Sequence, residues 1–158
     1  KSFIFITGSD DKTVKIWDGD FNLIKQLNDH SDSISCVSSY NDLIISGSED
    51  KSIIIYKINK SIEDQKKQFK SIKKVRTLTG HTEGVTCIAG VKGTDDRLLL
   101  ASGSKDGTIK IWDVNSGKCL YTINIGTRVN CLLFDEYNKR LVGSFHDGTI
   151  RIYKIENI

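Results

Sequence analysis

One phrase recurs four times and limits what this chain can become. It reads GSDDKTVKIWD over 8–18, GSEDKSIIIYK over 47–57, GSKDGTIKIWD over 103–113 and SFHDGTIRIYK over 144–154. Each copy has an aspartate in a turn and an aromatic residue six places later: Asp11 and Trp17, Asp50 and Tyr56, Asp106 and Trp112, Asp147 and Tyr153. Asp106-Gly107 reads as a two-residue hairpin turn, since glycine tolerates the positive φ such a turn needs. Ile109 and Ile111 then alternate with Thr108 and Lys110, the period of a strand with one buried face.

The spacing of the copies sets the architecture. Consecutive turn aspartates lie 39, 56 and 41 residues apart. A period of roughly 40–45 residues with four short strands per unit predicts an all-β chain, a β-propeller. Strands are expected over 3–7, 13–17, 21–27, 33–38, 43–48, 52–58, 75–78, 85–89, 98–104, 108–114, 118–123, 129–134, 140–144 and 149–155. They group into blades of about 1–27, 33–78, 85–123 and 129–158. The first blade lacks its innermost strand and the last its outermost, so the chain is expected to form a partial, open propeller. It begins with Lys rather than Met and contains neither Met nor Pro, which suggests an excised or incomplete segment whose neighbouring blades come from the same or another chain.

The residues at the ends of the repeat resemble the WD-repeat family: Gly80-His81 at one end, Ile111-Trp112-Asp113 at the other, with Ile16-Trp17-Asp18 repeating the second. The resemblance covers nearly the whole chain. It implies a hydrogen-bonded tetrad inside each complete blade, in which Asp106 accepts from His81, His81 bonds Ser102 and Ser102 accepts from the Trp112 indole. The donor and acceptor inventory of these side chains permits that chain of bonds. His30, Ser46 and Asp50 repeat three members, with Tyr56 in the tryptophan position. Thr7, Asp11 and Trp17 repeat three with no histidine, and the fourth blade keeps Asp147 alone.

The same residue types invite chemical readings. Ser102, His81 and Asp106 are the groups of a hydrolytic triad, but neither a nucleophile elbow nor an oxyanion hole accompanies them, and the chain is read as non-catalytic. His30/Cys36 and His81/Cys87 share a spacing, yet zinc needs four converging ligands and equal phase puts each pair in a separate blade. Cys36, Cys87 and Cys131 are instead expected to be small buried residues at equivalent strand positions. No glycine-rich loop ends in Gly-Lys-Ser/Thr, so a phosphate cradle is unsupported. No cofactor or metal is expected.

Composition fits a soluble globular chain: 158 residues, 27% charged and 38% hydrophobic. It shows neither an apolar run of membrane length nor a secretory signal. Four cysteines, at 36, 87, 119 and 131, form no Cys-x-x-Cys pair and read as reduced thiols of a cytoplasmic or nuclear protein. Asn59-Lys60-Ser61 fits a glycosylation sequon that means little without a secretory signal. The long third interval comes from residues 57–74, KINKSIEDQKKQFKSIKK, where seven lysines against Glu63 and Asp64 give +5 in a chain of net +3. Ile58, Ile62, Phe69 and Ile72 share one face at helical pitch, so the segment reads as an amphipathic docking helix or a solvated loop.

The function expected is that of a protein-binding scaffold or adaptor, because loops on a rigid scaffold carry binding. By resemblance, the ligand face bears the residue before each turn aspartate (Asp10, Glu49, Lys105, His146) and the positions flanking the first Val or Ile of each inner strand (Ser33, Ser35, Gly84, Thr86, Arg128, Asn130). Its acidic members, Asp10 and Glu49, are expected to form one sector, and Lys105, Arg128 and His146 an adjoining basic one. The alternative is an electrostatic binder of anionic membrane or nucleic acid through residues 57–74. No other basic stretch supports it, and Phe69 is the one aromatic available there for base stacking.

Overall fold

The computed structural model describes residues 3–59, 71–92 and 98–154. Within them lie fourteen strands: β1 (Ile4–Gly8), β2 (Val14–Asp18), β3 (Leu23–Leu27), β4 (Ile34–Tyr40), β5 (Leu43–Ser48), β6 (Ile53–Asn59), β7 (Ser71–Leu78), β8 (Val85–Lys92), β9 (Leu98–Ser104), β10 (Thr108–Asp113), β11 (Cys119–Asn124), β12 (Val129–Asp135), β13 (Arg140–Phe145) and β14 (Ile150–Lys154). They form four antiparallel meanders, three-stranded β1-β2-β3, four-stranded β4-β5-β6-β7 and β8-β9-β10-β11, and three-stranded β12-β13-β14. These are four consecutive propeller blades, here blades 1 to 4, in an open arrangement.

Residue alternation decides which side of each blade faces which neighbour. Ile16 and Val14 of blade 1 meet Ile34, Ile44, Ile54 and Tyr56 of blade 2 in one buried cluster. Ile45, Ile53 and Ile55 of blade 2 meet Val85, Leu100 and Trp112 of blade 3 in a second. Cys87, Ala89, Leu99, Ala101, Ile109 and Ile111 of blade 3 meet Val129, Leu132, Leu141 and Phe145 of blade 4 in a third. The core is thus a series of seams between blades. Close approach at each seam depends on glycine. A Cβ on Gly8 would lie 2.4 Å from Ile34, one on Gly47 2.7 Å from Val85 and one on Gly103 2.4 Å from Val129, each the first inner-strand residue of the next blade. Blade 4 has Ser144 at this position.

The two outer sides are uncovered. On blade 1, Phe3, Phe5, Phe21 and Leu23 are exposed, with Phe5 and Phe21 stacked at 5.1 Å. On blade 4, Leu133, Ile150 and Ile152 are 64%, 73% and 60% exposed, although their blade 3 equivalents Ala89, Ile109 and Ile111 are 8%, 0% and 2% exposed. Cys131 is exposed for the same reason and corrects the expectation of a buried thiol, whereas its equivalent Cys87 is buried beneath blade 4.

The lysine-rich segment also departs from expectation at both ends. Strand β7 begins at Ser71 rather than near Val75, and Ile58 lies opposite Ile72 across the β6–β7 ladder. Residues 57–59 and 71–74 are therefore strand, and the helical face joining Ile58 to Ile72 does not form. The rest of the helix reading, with Ile62 and Phe69, falls on residues 60–70, outside the described residues. The sequon at Asn59 is cut by the same boundary.

Candidate functional site

The turn in each phrase is built by its aspartate. In blade 3 the hairpin loop is three residues, Lys105 to Gly107, rather than two. Gly107 N–H closes the turn onto the Ser104 carbonyl at 3.3 Å and Gly107 takes φ 76°. The reason is the side chain of Asp106: its Oδ1 accepts from the Thr108 amide at 2.9 Å and the Thr108 hydroxyl at 2.7 Å, a capping pattern that fits the longer loop. The same bonds recur from Asp11 to Thr13, Asp50 to Ser52 and Asp147 to Thr149.

The other oxygen of the aspartate distinguishes the blades. In blade 3, His81 Nδ1–H donates to Asp106 Oδ2 at 2.8 Å, the Ser102 hydroxyl bonds His81 Nε2 at 2.8 Å, and the Trp112 indole N–H donates to Ser102 Oγ at 2.8 Å. His81 is 6% exposed, Ser102 0% and Trp112 2%. Burial pushes the His81 ring below its ordinary pKa, against the pull of Asp106. Burial alone would raise Asp106, but bonds from Thr108, His81 and the Thr82 amide outweigh it and hold the carboxyl below its usual range.

Blade 2 repeats the chain and breaks it at the last link. His30 Nδ1 lies 2.7 Å from Asp50 Oδ2 and Nε2 2.8 Å from Ser46 Oγ. Burial opposes ionisation of Asp50, but Ser52, Ser31 and His30 together hold its carboxyl at about 2. The Tyr56 hydroxyl is buried with no hydrogen-bond partner among the described residues. Asp29 and Ser46 stand close enough to act on its ionisation without meeting hydrogen-bond geometry, and burial, with Asp29 next, drives the phenol far above its ordinary value.

Blades 1 and 4 substitute a half-buried cation for the buried histidine. Lys15 reaches Asp11 Oδ2 at 2.8 Å, and Arg151 reaches Asp147 Oδ2 at 2.8 Å. Lys15, then Thr13, holds Asp11 well below the carboxylate range. In blade 1 the Trp17 indole still donates to Thr7 at 3.0 Å. In blade 4 Phe145 fills the space over Gly143, and Arg151 lies 4.9 Å from its ring centroid. These two cations were missed in the sequence. A cation four residues after the turn aspartate is a weak signal, because Lys110 has the same spacing in blade 3 and bonds Thr122 instead.

The rim residues are brought together in pairs. Glu49 N–H donates to Ser33 O, Lys105 N–H to Gly84 O and His146 N–H to Arg128 O, each at 2.9 Å. Asp10 is exposed on blade 1, where the described residues include no inner strand to offer the equivalent carbonyl. Ser35 and Thr86 have another role: their hydroxyls donate to the backbone carbonyls of Val85 and Val129, stitching each inner strand to the next blade. Asn130, at the equivalent position in blade 4, is exposed. The expected acidic and basic sectors meet at a salt bridge. Lys105 Nζ bonds Glu49 Oε1 at 2.7 Å across the seam between blades 2 and 3, so these two charges neutralise one another. Arg76, also unforeseen, reaches from β7 to the Asn115 and Ser116 carbonyls at 2.6 and 3.0 Å and ties the outer strand of blade 2 to the β10–β11 turn of blade 3.

Among the described residues, no group of three or more His, Cys, Asp and Glu side chains is placed to hold a metal. Burial pushes the Cys36 and Cys87 thiols up to about 12 and about 11, so both are poor nucleophiles at neutral pH.

Repeated sheets, turn aspartates and tetrads of this kind define a propeller built from WD-type repeats. The family profile described as WD domain, G-beta repeat matches residues 1–18, 21–57, 72–113 and 117–154, and the chain belongs to that family. The matched stretches are offset from the blades: residues 21–57 hold β3 of blade 1 followed by β4 to β6 of blade 2. Relatives include the nuclear distribution protein nudF of Aspergillus niger, 30% identical over 94% of this chain and 32% of its own length. Mitochondrial division protein 1 of Kluyveromyces lactis is 35% identical over 75% of the chain and 17% of its own length. Cell division control protein 4 of Saccharomyces cerevisiae is 36% identical over 53% and 10%. The chain thus spans about a third or less of the curated relatives it matches.

Proposed function

We propose that the chain is a non-catalytic scaffold or adaptor that binds a partner protein or extended peptide on the rim carrying the turn aspartates and the histidine-bearing loops. The observation that carries this reading is the state of the serine–histidine–aspartate sets. Ser46 and Ser102 are 0% exposed, and both nitrogens of each histidine are already bonded inside a blade. A nucleophilic serine must meet substrate, and these do not. They hold in place the loops beside the rim, where Ser33, Glu49, Gly84, Lys105, Arg128 and His146 lie in backbone-bonded pairs.

With Glu49 and Lys105 paired, Arg128, exposed on blade 4 beside His146, carries the positive charge of this rim. The partner it suits presents acidic or phosphorylated groups there, since Arg pairs with such anions in a bidentate manner. Further blades, from the same polypeptide or another chain, cover the apolar sides of blades 1 and 4. The alternative, an electrostatic binder of membrane or nucleic acid through residues 57–74, depends mainly on residues outside those described. One of its cations, Lys74, is already 3.4 Å from Asp29. Four free thiols suit the cytoplasm or nucleus. The test is Arg128→Glu with His146→Glu, measured against an acidic phosphopeptide alongside a thermal melt. We expect at least tenfold weaker binding with the melt unchanged. Unchanged binding, or a partner that engages the opposite rim, contradicts the placement.

A further inference from the structure

We propose that two copies of this chain join head to tail, the outer side of blade 4 in each seated on the outer side of blade 1 in the other. It rests on the reading that blades of another chain cover these sides, and it needs no peptide on the rim. In the seam between blades 2 and 3, Ile45, Ile53 and Ile55 pack on Val85, Leu100 and Trp112. Strand pairing makes Val142, Ile150 and Ile152 the blade 4 equivalents of the three isoleucines. It makes Phe5 and Trp17 the blade 1 equivalents of Leu100 and Trp112. Ile150 and Ile152 are exposed, and Phe5 and Trp17, with Thr7 and Phe21, line an apolar slot of about 330 Å³. The two uncovered sides are thus the two halves of one seam.

Each half departs from the ordinary seam where the other half calls for it. In the seams within the chain, Gly8, Gly47 or Gly103 admits the first inner-strand residue of the next blade. Ser144 takes that position in blade 4, and its Cβ excludes such a residue. Blade 1 brings none, since its described residues include no inner strand. A second exchange lies at the outer end. Arg76, on the outer strand of blade 2, comes within 2.6 Å of where a Cβ on Gly117 of blade 3 would stand. The blade 1 equivalent of Gly117 is Phe21, for each precedes the residue whose carbonyl closes its turn, Lys118 and Asn22. Phe21 holds φ at 62°, a left-handed conformation that is costly for a bulky side chain, and stacks on Phe5. Its side chain starts from the place the arginine takes over Gly117. Blade 4, with no outer strand among the described residues, sends no side chain there.

Charge agrees with shape. Glu49 and Lys105, the residues before the turn aspartates of blades 2 and 3, pair across their seam at 2.7 Å. The same two positions at the new seam are His146 and Asp10, both exposed in a single copy. An imidazole N–H can donate to a carboxylate in either charge state of the ring. Two copies together carry eight blades, within the roughly 4–8 at which propellers close. A head-to-tail contact that closes in this way ends at two copies instead of growing into a filament.

The test is sedimentation velocity over a concentration series, followed by mixing of variants. The parent should pass from 17.7 kDa to twice that mass as concentration rises. Alkylation of Cys131 should slow in step, with the exposed Cys119 as the unchanged reference. Ile152→Asp spoils the blade 4 side and Phe5→Asp the blade 1 side, and each variant alone should stay monomeric. Mixed, they should form a one-to-one dimer, because one intact seam remains, between blade 1 of the first and blade 4 of the second. Asp10→Lys should weaken association of the parent about tenfold, and adding His146→Asp should restore it. These two rim positions are exposed, and they decide if an apolar variant does not fold. The inference is overturned by a parent that stays monomeric up to about 1 mM, by growth past two copies, or by folded variants that do not recover on mixing. None of these outcomes bears on the binding of a peptide at Arg128.

Discussion

Blades 3 and 4 turn similar residues toward the side away from blade 1, and only those of blade 3 are covered. Cys87, Ala89, Ile109 and Ile111 lie in a seam with blade 4, while Cys131, Leu133, Ile150 and Ile152 are exposed. Strand pairing is the same in both, β9 with β10 and β13 with β14. What separates them is a neighbour. In this architecture a repeat specifies its sheet by itself, but its apolar sides become core only when another blade lies against them. The polar interior follows the same division. Buried histidines hold the turn aspartates of blades 2 and 3, and half-buried Lys15 and Arg151 hold those of blades 1 and 4.

The contrast should be largest for core truncation. Leu100→Ala, in the seam between blades 2 and 3, should cost about 2–5 kcal/mol in urea unfolding, whereas Ile152→Ala should fall within about 0.5 kcal/mol. Similar losses would mean that blade 4 is already covered in solution, for example by self-association.

A glycine position gives a second comparison. Gly103→Ala drives a methyl to within 2.4 Å of Val129 and 2.7 Å of Cys87, and overpacking of this kind costs about 1–3 kcal/mol. Ser144, the equivalent in blade 4, already carries a Cβ, and Ser144→Ala should leave the unfolding midpoint where it is.

Smaller, and dependent on pH, is the histidine contrast. His81→Ala strands Asp106 and Ser102 and should cost about 1–3 kcal/mol at neutral pH. His146→Ala, at an exposed rim position, should cost under about 0.5 kcal/mol. Because folding lowers the pKa of His81, the unfolded chain binds the extra proton first. The parent should therefore lose stability as pH falls from about 6.5, the unfolded value. Asp50 and Asp106 are also held low, so their contribution is present above about 3.8 and is lost as pH falls below it, for Asp50 down to about 2. His81→Ala should remove the upper limb of this loss and keep the lower one. A parent profile flat from pH 7 to 5 would contradict the assignment.

Much of this was legible in the sequence because it is local. An aspartate that bonds the residue two places on fixes its own turn, and period-two alternation then sets the strands on either side; the eight strands flanking the four turn aspartates follow from those two signals. The tetrad residues were legible as a set because each repeats at a fixed offset. What escaped is long-range and carries no period. The bonds from Ser35 to Val85, Thr86 to Val129 and Arg76 to Ser116 span 50, 43 and 40 residues. Glu49 meets Lys105 only because two blades adjoin. The exposure of Cys131 depends on what lies beside blade 4. The early start of β7 was hidden by lysines, which suit an outer strand with a solvated side as well as they suit a loop.

The most direct test of the account is hydrogen–deuterium exchange resolved by strand, on dilute chain near neutral pH. The amides of β5, β6, β9 and β10 lie inside four-stranded sheets between covered seams, and they should be the slowest to exchange. Those of β1 and β14, which border an open edge and an uncovered apolar side, should exchange at least tenfold faster. Equal protection of β14 and β10 would contradict the division between inner and outer blades on which the account rests.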